Sequence, residues 1–240
     1  MKVAILTTET LHHTYFIESL LKNGVQLKVF IETQPQYSPP FESWHPYESS
    51  RDAYESELWF EGKQSIKIEQ ITNPLKFVSL NDQAAVNAIA DYDADIGFVF
   101  GTGKLKEQLI KVGPRHLLNL HGGDPRGYRG LDSHLWAIYH SDYQSLITTL
   151  HYVDSNLDTG PIVMQCQISM NKALRLHKLR SINTELCIKM ALIAIHSLEA
   201  LDWLPSTNQQ KMGRYYSSMS AELKDVCYRK LEHLANNFKE

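Results

Sequence analysis

The chain has 240 residues, of which 43% are hydrophobic and 21% are charged, an ordinary composition for a globular protein. Its net charge of −3 argues against a large nucleic-acid footprint, which usually appears as a basic domain with clustered lysine and arginine. We therefore expect no nucleic-acid partner.

The cysteines Cys166, Cys187 and Cys227 are far apart and odd in number, which argues against a disulfide framework or a zinc site. We expect no metal and a reducing compartment. The apolar run 3–6 is too short for a signal peptide, and no stretch reaches the 18 or so apolar residues of a membrane span. The sequence thus predicts a cytoplasmic protein without a membrane partner.

The first half of the chain alternates strands with helices. Strands are predicted over residues 2–7, 26–31, 95–100 and 116–120, and helices over 14–21, 81–90 and 104–111, with Asn81 as the N-cap of the second helix. Because strand, helix and strand follow each other at βαβ spacing, we expect an α/β protein with a parallel sheet.

The second half contains a predicted helix over residues 133–140, strand-like runs over 145–153 and 162–168, and a long helical region over 175–201. A further helix is predicted from Ser220. No clear linker is present, and residues 204–208 are the best candidate for a domain boundary. We therefore divide the chain into residues 1–204 and a C-terminal extension, 205–240, packed on them. The long helix and the extension could support a homodimer.

Residues 33–64 interrupt the alternation of strands and helices. They contain four prolines, Pro35, Pro39, Pro40 and Pro46, and many aromatic residues. We predict an irregular segment followed by a helix from about Ser50. Such a segment is either a binding flap or a cover over the edge of the core, and we favour the cover because aromatic side chains usually pack.

Asn119 and His121 end the strand predicted over 116–120. Residues two apart in a strand point the same way, so the amide and the imidazole would project together from the carboxyl edge of the sheet. Such a pair can polarise a carbonyl group and transfer a proton. The N-x-H pattern is common by itself and can equally be two polar residues at a strand end.

Two later segments add to this pattern. The loop from Gly122 to Gly130 contains four glycines and a proline in nine residues, which indicates a loop with a specific backbone conformation. Asp158 lies in a turn between two strand-like runs, where a carboxylate can orient an imidazole. Either segment alone could be ordinary turn chemistry.

In combination, residues 117–121 (LLNLH), 128–130 (YRG) and 157–162 (LDTGPI) resemble the formyltransferase family over roughly residues 1–200. The resemblance implies a Rossmann-like, mostly parallel sheet flanked by helices, N10-formyltetrahydrofolate as the formyl donor and a free amine as the acceptor. It implies that Asn119, His121 and Asp158 are catalytic. Asn119 and His121 would stabilise the oxyanion, and Asp158 would orient His121.

Many relatives have a serine and leucines where this chain has Gly122, Gly123 and Asp124. This variant, together with the late run 213–217 (GRYYS), looks most like bacterial amino-sugar-nucleotide N-formyltransferases. The resemblance therefore implies that the acceptor is a nucleotide-linked amino-dideoxy sugar, such as GDP-perosamine or a dTDP-amino sugar, used in O-antigen lipopolysaccharide synthesis.

The resemblance also implies binding residues. The folate would contact Phe100, Gly101, Thr102, Gly103, Leu105, Asp154 and Asp158, and the acceptor would contact Gly122, Gly123, Arg126, Tyr128, Arg129 and His134. Arg126 is the candidate for a phosphate contact. His12 and His13 are interpreted mainly as surface loop residues, and His140, His151 and His196 as structural ones.

Other functions compete with this hypothesis. Methionyl-tRNA formyltransferases carry a further domain, whereas fewer than 40 residues follow Asp202 here. Glycinamide ribonucleotide formyltransferases lack this extension and the aromatic segment. A formyltransferase that acts on a small amine of the hydroxyornithine type is a further alternative. A rival of a different class is a catalytically silent folate-binding module, which would bind folate without turnover.

Overall fold

The computed structural model describes residues 1–34, 38–63 and 65–237 of the chain. The strands in chain order are β1 (Val3–Thr7), β2 (Leu27–Glu32), β3 (Leu75–Phe77), β4 (Ile96–Phe100), β5 (His116–His121), β6 (Tyr128–Gly130), β7 (Ile147–Tyr152), β8 (Ile162–Gln167) and β9 (Arg214–Tyr216). The α-helices are α1 (Leu11–Lys22), α2 (Tyr47–Phe60), α3 (Gln83–Tyr92), α4 (Glu107–Val112), α5 (Ser133–Tyr139), α6 (Leu179–Leu201) and α7 (Ala221–Asn236). Short 3-10 segments cover Ile68–Gln70, Tyr143–Ser145 and Leu176–Lys178.

The main sheet has the strand order β3-β2-β1-β4-β5-β7-β8. Strands β1 to β5 pair in parallel, whereas β7 and β8 are antiparallel. The chain winds outward from β1 to β3 and then crosses back to β4 on the other side of β1. In open α/β sheets, ligands bind outside the carboxyl ends of the strands at such a reversal. The predicted α/β fold with a Rossmann-like, mostly parallel sheet is confirmed.

The central strands form because their side chains are apolar on both faces of the sheet. All five residues of β1 and of β4 are buried, as expected for strands covered by helices on either side. Ile5 shares a core with Phe16 of α1 and Ala191 of α6. Its neighbour Leu6 shares the opposite core with Val86 of α3. Burying a side chain such as Phe16 contributes on the order of 2–3 kcal/mol.

One predicted helix cap is wrong. Helix α3 begins at Gln83 with Asp82 at the N-cap position, not with Asn81. The side chain of Asn81 instead serves the neighbouring segment, where its Oδ1 accepts the backbone N–H of Lys106 over 2.7 Å. Its Nδ2 donates to the carbonyl of Lys104 over 3.1 Å. A tertiary contact between two loops has therefore displaced the local capping preference of asparagine.

The chain after Leu204 adds a small second sheet and a helix. Strand β9 pairs in parallel with β6, and neither strand was predicted. Helix α7 buries Cys227 and Leu231 in a core that also contains Leu135 and Ile138 of α5. The described part of the extension therefore packs on the rest of the chain, while the domain boundary at residue 204 stays a prediction.

The aromatic segment 33–64 packs mainly through α2, which begins at Tyr47 rather than near Ser50. The Trp59 ring stacks on Tyr15 of α1 with centroids 4.3 Å apart. Trp44, in contrast, is 55% exposed. Pro35 and Tyr37 lie outside the described residues. Within the described part, no helix is both long and apolar enough to cross a membrane.

Candidate active site

A cavity of about 810 Å³ opens at the carboxyl edge of the sheet. Its wall includes Thr8, Gly101 and His121, which lie at or just beyond the carboxyl ends of β1, β4 and β5. This volume falls in the range of small-molecule sites, roughly 300–1,000 Å³. The cavity therefore occupies the position that the strand order predicts for a ligand.

Strand β5 brings two of the predicted catalytic side chains to this cavity. Asn119 and His121 both line it, as their spacing of two residues in a strand requires. Leu118 and Leu120, which alternate with them, are buried in the core on the other face and fix the rotation of the strand. The predicted pairing of the amide and the imidazole on one face is thus present.

Asp158 comes to the same wall from the turn between β7 and β8. Its backbone is in the left-handed region with φ of 56°. Its Oδ2 accepts the backbone N–H of Gly130 over 2.8 Å, and its Oδ1 accepts from Asn119 Nδ2 over 3.2 Å. Burial alone would raise the pKa of Asp158, but His121, His151 and the Gly130 amide together hold that pKa well below its ordinary value. The carboxyl group is therefore ionised at neutral pH.

The tautomer of His121 follows from one hydrogen bond. Its Nε2 lies 3.0 Å from the carbonyl oxygen of Tyr128, which can only accept, so Nε2 carries the proton. In the neutral ring Nδ1 is then the basic nitrogen, and it lies 3.7 Å from Asp158 Oδ1. A proton taken up at Nδ1 would be stabilised by the carboxylate beside it.

His151, interpreted from the sequence as structural, also belongs to this cluster and lines the cavity. Antiparallel pairing of β7 with β5 places His151 opposite Asn119. Its Nε2 lies 3.1 Å from Asn119 Nδ2 and 3.5 Å from Asp158 Oδ1. The only signal in the sequence was its position near the end of a strand that leads to the Asp158 turn.

The predicted donor loop lies along the cavity. Phe100, Gly101, Thr102, Gly103, Leu105 and Asp154 all line it. Glu32, a buried carboxylate that the sequence did not single out, accepts the backbone N–H of Gly103 over 2.7 Å and that of Leu80 over 3.2 Å. Because one side chain binds both segments, Glu32 holds this loop against β2.

The predicted acceptor residues divide into two groups. Gly122 and His134 line the cavity, whereas Gly123, Arg126, Tyr128 and Arg129 do not. Arg126 donates to Asp124 through Nε and Nη2, at 2.9 Å each. Arg129 donates to the carbonyls of Gly213 and Leu157, and the Tyr128 hydroxyl donates to Asp142.

The family resemblance implied that these side chains contact the acceptor. The structure uses their donor groups within the protein instead. Arg126, the predicted phosphate contact, lies outside the cavity wall, and that contact stays a prediction.

His12 and His13 are not surface loop residues. They open helix α1, where Thr10 Oγ1 accepts the backbone N–H of His13 over 3.4 Å, and both line the cavity. Burial lowers the pKa of His13 to about 3, and burial together with the neighbouring His13 lowers the pKa of His12. Both rings are therefore neutral at pH 7.

Two arginines that the sequence reading passed over also reach the cavity, Arg51 of α2 and Arg180 of α6. Arg180 pairs with the buried Glu55 and, over 2.8 Å, with Asp52. These pairs attach α2 to α6. Within the described ranges, no group of three or more His, Cys, Asp or Glu side chains is arranged to hold a metal ion.

The chain belongs to the formyl transferase family, because the model of that family matches residues 1–184. Among curated proteins it resembles the methionyl-tRNA formyltransferase of Thermosynechococcus vestitus, at 33% identity over 79 residues, 32% of this chain and 24% of the relative. The corresponding enzyme of Thermodesulfovibrio yellowstonii is 30% identical over 93 residues, 38% of this chain and 30% of the relative. The matched segments thus span less than a third of those relatives' length.

Several solved structures share the fold. WlaRD, a sugar 3N-formyl transferase, gives a TM-score of 0.60 at 16% identity, covering 90% of this chain and 69% of WlaRD. A 4-N formyltransferase from Francisella tularensis gives 0.57 at 15% identity, covering 96% and 87%. PseJ from Anoxybacillus kamchatkensis gives 0.52 at 17% identity, covering 90% and 86%. At these identities the likeness establishes the fold alone.

Proposed function

We propose that the protein transfers a formyl group from N10-formyltetrahydrofolate to the amine of a nucleotide-linked amino-dideoxy sugar. The observation that carries this proposal is the contact of His121 Nδ1 with the ionised Asp158, beside Asn119, in the wall of an 810 Å³ cavity. A base with a carboxylate behind it suits attack by an amine on a carbonyl carbon.

The proposed reaction uses His121 for both proton movements. The acceptor amine attacks the formyl carbon as His121 Nδ1 takes one of its protons, and Asp158 stabilises the resulting imidazolium. The tetrahedral intermediate then collapses, the bond from carbon to N10 breaks, and the proton passes from His121 to N10. The products are a formamide and tetrahydrofolate. General base catalysis of this kind contributes roughly 10²- to 10⁴-fold in rate.

The two halves of the cavity suit two different ligands. We place the pterin ring of the folate along residues 100–105 and near Asp154, where backbone groups line the wall. We place the acceptor toward Gly122, His134, His12 and Arg51. Related structures support two sites of this kind, since WlaRD was solved with dTDP and 5-N-formyl-THF, and PseJ with a UDP-linked sugar and tetrahydrofolate.

GDP-perosamine and dTDP-amino sugars are the first acceptors to test, and O-antigen synthesis in the cytoplasm is the setting that such acceptors imply. The homodimer also stays a prediction.

The direct test is to mix purified protein with N10-formyltetrahydrofolate and a panel of amino-sugar nucleotides that includes GDP-perosamine. Folate product is followed by absorbance and acceptor product by mass. We expect one acceptor to gain the mass of one formyl group, and this gain to disappear in His121→Ala but to persist in His196→Ala, since His196 is exposed on α6.

Methionyl-tRNA, glycinamide ribonucleotide and hydroxyornithine are assayed beside this panel, so that the other acceptor classes are tested under the same conditions. Transfer to one of these, and to no sugar nucleotide, would overturn the proposed substrate class but keep the formyl transfer. Folate binding without turnover on any amine would instead indicate the silent binding module.

A further inference from the structure

The C-terminal extension reaches the turn that carries Asp158 through the side chain of Gln209. We propose that Gln209 is a positioning residue, which holds this turn so that the Asp158 carboxylate faces His121. Gln209 lies beyond residues 1–184, the part of the chain that matches the family model. The inference rests on the proposed formyl transfer and deepens it, because it makes the extension part of the catalytic arrangement.

The turn between β7 and β8 is held by side chains from other segments. Gln209 Nε2 donates to the carbonyl of Asp158 over 3.1 Å and to that of Gly160 over 2.8 Å. The carbonyl of Leu157 accepts from Arg129 Nη1 over 3.1 Å. Among the described residues, no backbone N–H donates to any of these three carbonyls. Because Asp158 and Gly160 are buried, Gln209 supplies hydrogen bonds that their carbonyls need.

The backbone conformation of Asp158 requires such support. Its φ of 56° lies in the left-handed region, which a residue other than glycine occupies only where its surroundings hold it. The place of the carboxylate depends on this conformation, since its Oδ1 lies 3.2 Å from Asn119 Nδ2 and 3.7 Å from His121 Nδ1. A turn that relaxed to a commoner conformation would move the carboxylate away from both groups. A misplacement of about 1 Å can reduce a rate by roughly 10²-fold.

The Gln209 amide has one favourable orientation. Its nitrogen carries two hydrogens, and each has a carbonyl oxygen to bond. Turning the amide over would place Oε1 against the same two oxygens, with no hydrogen between acceptors. In the present orientation Oε1 is buried and has no hydrogen-bond partner within the described ranges. Because a buried oxygen without a partner lowers stability, the two donors are what account for a glutamine at this position.

The backbone around Gln209 is fixed on both sides of this residue. Before it, Thr207 and Ile162 exchange two backbone hydrogen bonds of 2.9 and 2.8 Å, which tie the extension to the start of β8. After it, the carbonyl of Gly213 accepts from Arg129 Nε over 2.7 Å, and β9 pairs with β6. Gln209 therefore reaches the turn from a backbone that is itself held in place, as a positioning residue requires.

The first test measures hydrogen exchange by NMR and needs no activity. In the wild type, we expect both side-chain amide protons of Gln209 to exchange slowly with solvent, in contrast to those of Gln210, which is exposed. The Gly130 amide donates to Asp158 Oδ2 and therefore reports the position of the carboxylate. This amide should exchange at least about tenfold faster in Gln209→Met and at the wild-type rate in Gln210→Met, while the Ile162 amide stays protected in both variants.

The second test is kinetic and compares two backgrounds. Gln209→Met keeps approximately the length of the side chain but removes both donors. We expect kcat to fall by about 10- to 100-fold and the KM for the acceptor to change less than about threefold, because geometry and not binding is lost. In the Asp158→Asn background the same substitution should cost less than about twofold, since the charge that Gln209 positions is already absent. Gln210→Met is the matched control and should leave kcat unchanged.

Equal losses of kcat in the two backgrounds would overturn the proposal, because they would indicate a general effect on the fold. So would an unchanged Gly130 amide, or loss of protection at Gly130 and Ile162 together. If Gln209→Met does not fold, fast exchange of the Gln209 side-chain protons in the wild type would still overturn it. If the wild type transfers no formyl group, the proposed function fails, yet the exchange rates still report whether Gln209 holds the turn. The two failures are therefore distinguishable.

Discussion

The backbone N–H of Gly130 donates to the carboxylate Oδ2 of Asp158 over 2.8 Å. This bond connects the loop after β5 with the turn after β7, two segments that are 28 residues apart in sequence. It leaves Asp158 Oδ1 to face Asn119 and His121. The loop 122–130 therefore positions Asp158 through a backbone group and not through its side chains.

Replacing Gly130 by alanine should destabilise the protein and distort the site. Gly130 has φ of +92°, and an added Cβ would lie 2.2 Å from the carbonyl oxygen of Tyr216. Because strain and a backbone clash act together, we expect a loss of about 2 kcal/mol or more in the free energy of unfolding, measured by urea denaturation.

Gly127→Ala is the matched control for this substitution. It lies in the same loop, and its added Cβ would meet nothing closer than 3.8 Å. Equal stability of the two variants would contradict the assigned constraint at Gly130.

Asp158→Asn should slow catalysis more than it weakens binding. The substitution keeps the shape of the side chain but removes the charge that stabilises the His121 imidazolium. We expect kcat to fall by roughly 10²- to 10⁴-fold, the range of general acid and base effects, with the dissociation constant of folate changed far less. Steady-state kinetics and a folate titration measure the two quantities.

Asp91→Asn, an exposed carboxyl on α3, controls for the loss of one negative charge. If Asp158→Asn instead weakened folate binding and left kcat intact, Asp158 would serve in binding alone.

His134 should make the protein less stable in mild acid. Burial lowers its pKa from 6.5 to about 4, so below pH 6.5 the unfolded chain binds a proton that the folded protein excludes. Stability is therefore lost as the pH falls from 6.5 toward 4. The expected contribution is on the order of 2 kcal/mol between pH 7 and pH 5.

His134→Gln keeps a donor for the Ile147 carbonyl, which His134 Nε2 contacts at 2.8 Å, but does not titrate. Urea denaturation at pH 7 and pH 5 should show a smaller stability difference in this variant than in the wild type. An unchanged difference would mean that His134 is not the group responsible.

Substituting an arginine of the cavity wall should raise the KM for the acceptor more than substituting an arginine outside it. Arg126→Ala removes a side chain that pairs with Asp124 away from the cavity wall, so the KM for the acceptor should change less than about twofold. Arg51→Ala removes a cation from the wall, and the same KM should rise by about tenfold if the acceptor carries phosphates.

Initial rates at varied acceptor concentration measure both effects, and thermal unfolding checks that both variants are folded. A larger effect for Arg126→Ala would restore the phosphate contact predicted from the sequence.

Local information in the sequence determined most of the elements. The apolar runs of β1 and β4 had to be buried on both faces, and the two-residue spacing of Asn119 and His121 had to place them on one face of β5. The strands β3, β6 and β9 were missed because three residues are too few to show a period.

The tertiary structure alone decided which polar groups meet in the cavity. His151 joins Asn119 through the antiparallel register of β7 on β5, and Glu32 reaches the Gly103 loop across the sheet edge. Arg126 is near His121 in sequence, but its guanidinium group donates to Asp124. The sequence by itself therefore determined the fold class and a candidate catalytic set, because hydrophobic patterning and short motifs are local. Long-range pairing settled the hydrogen bonds that set the tautomers and orientations of those side chains.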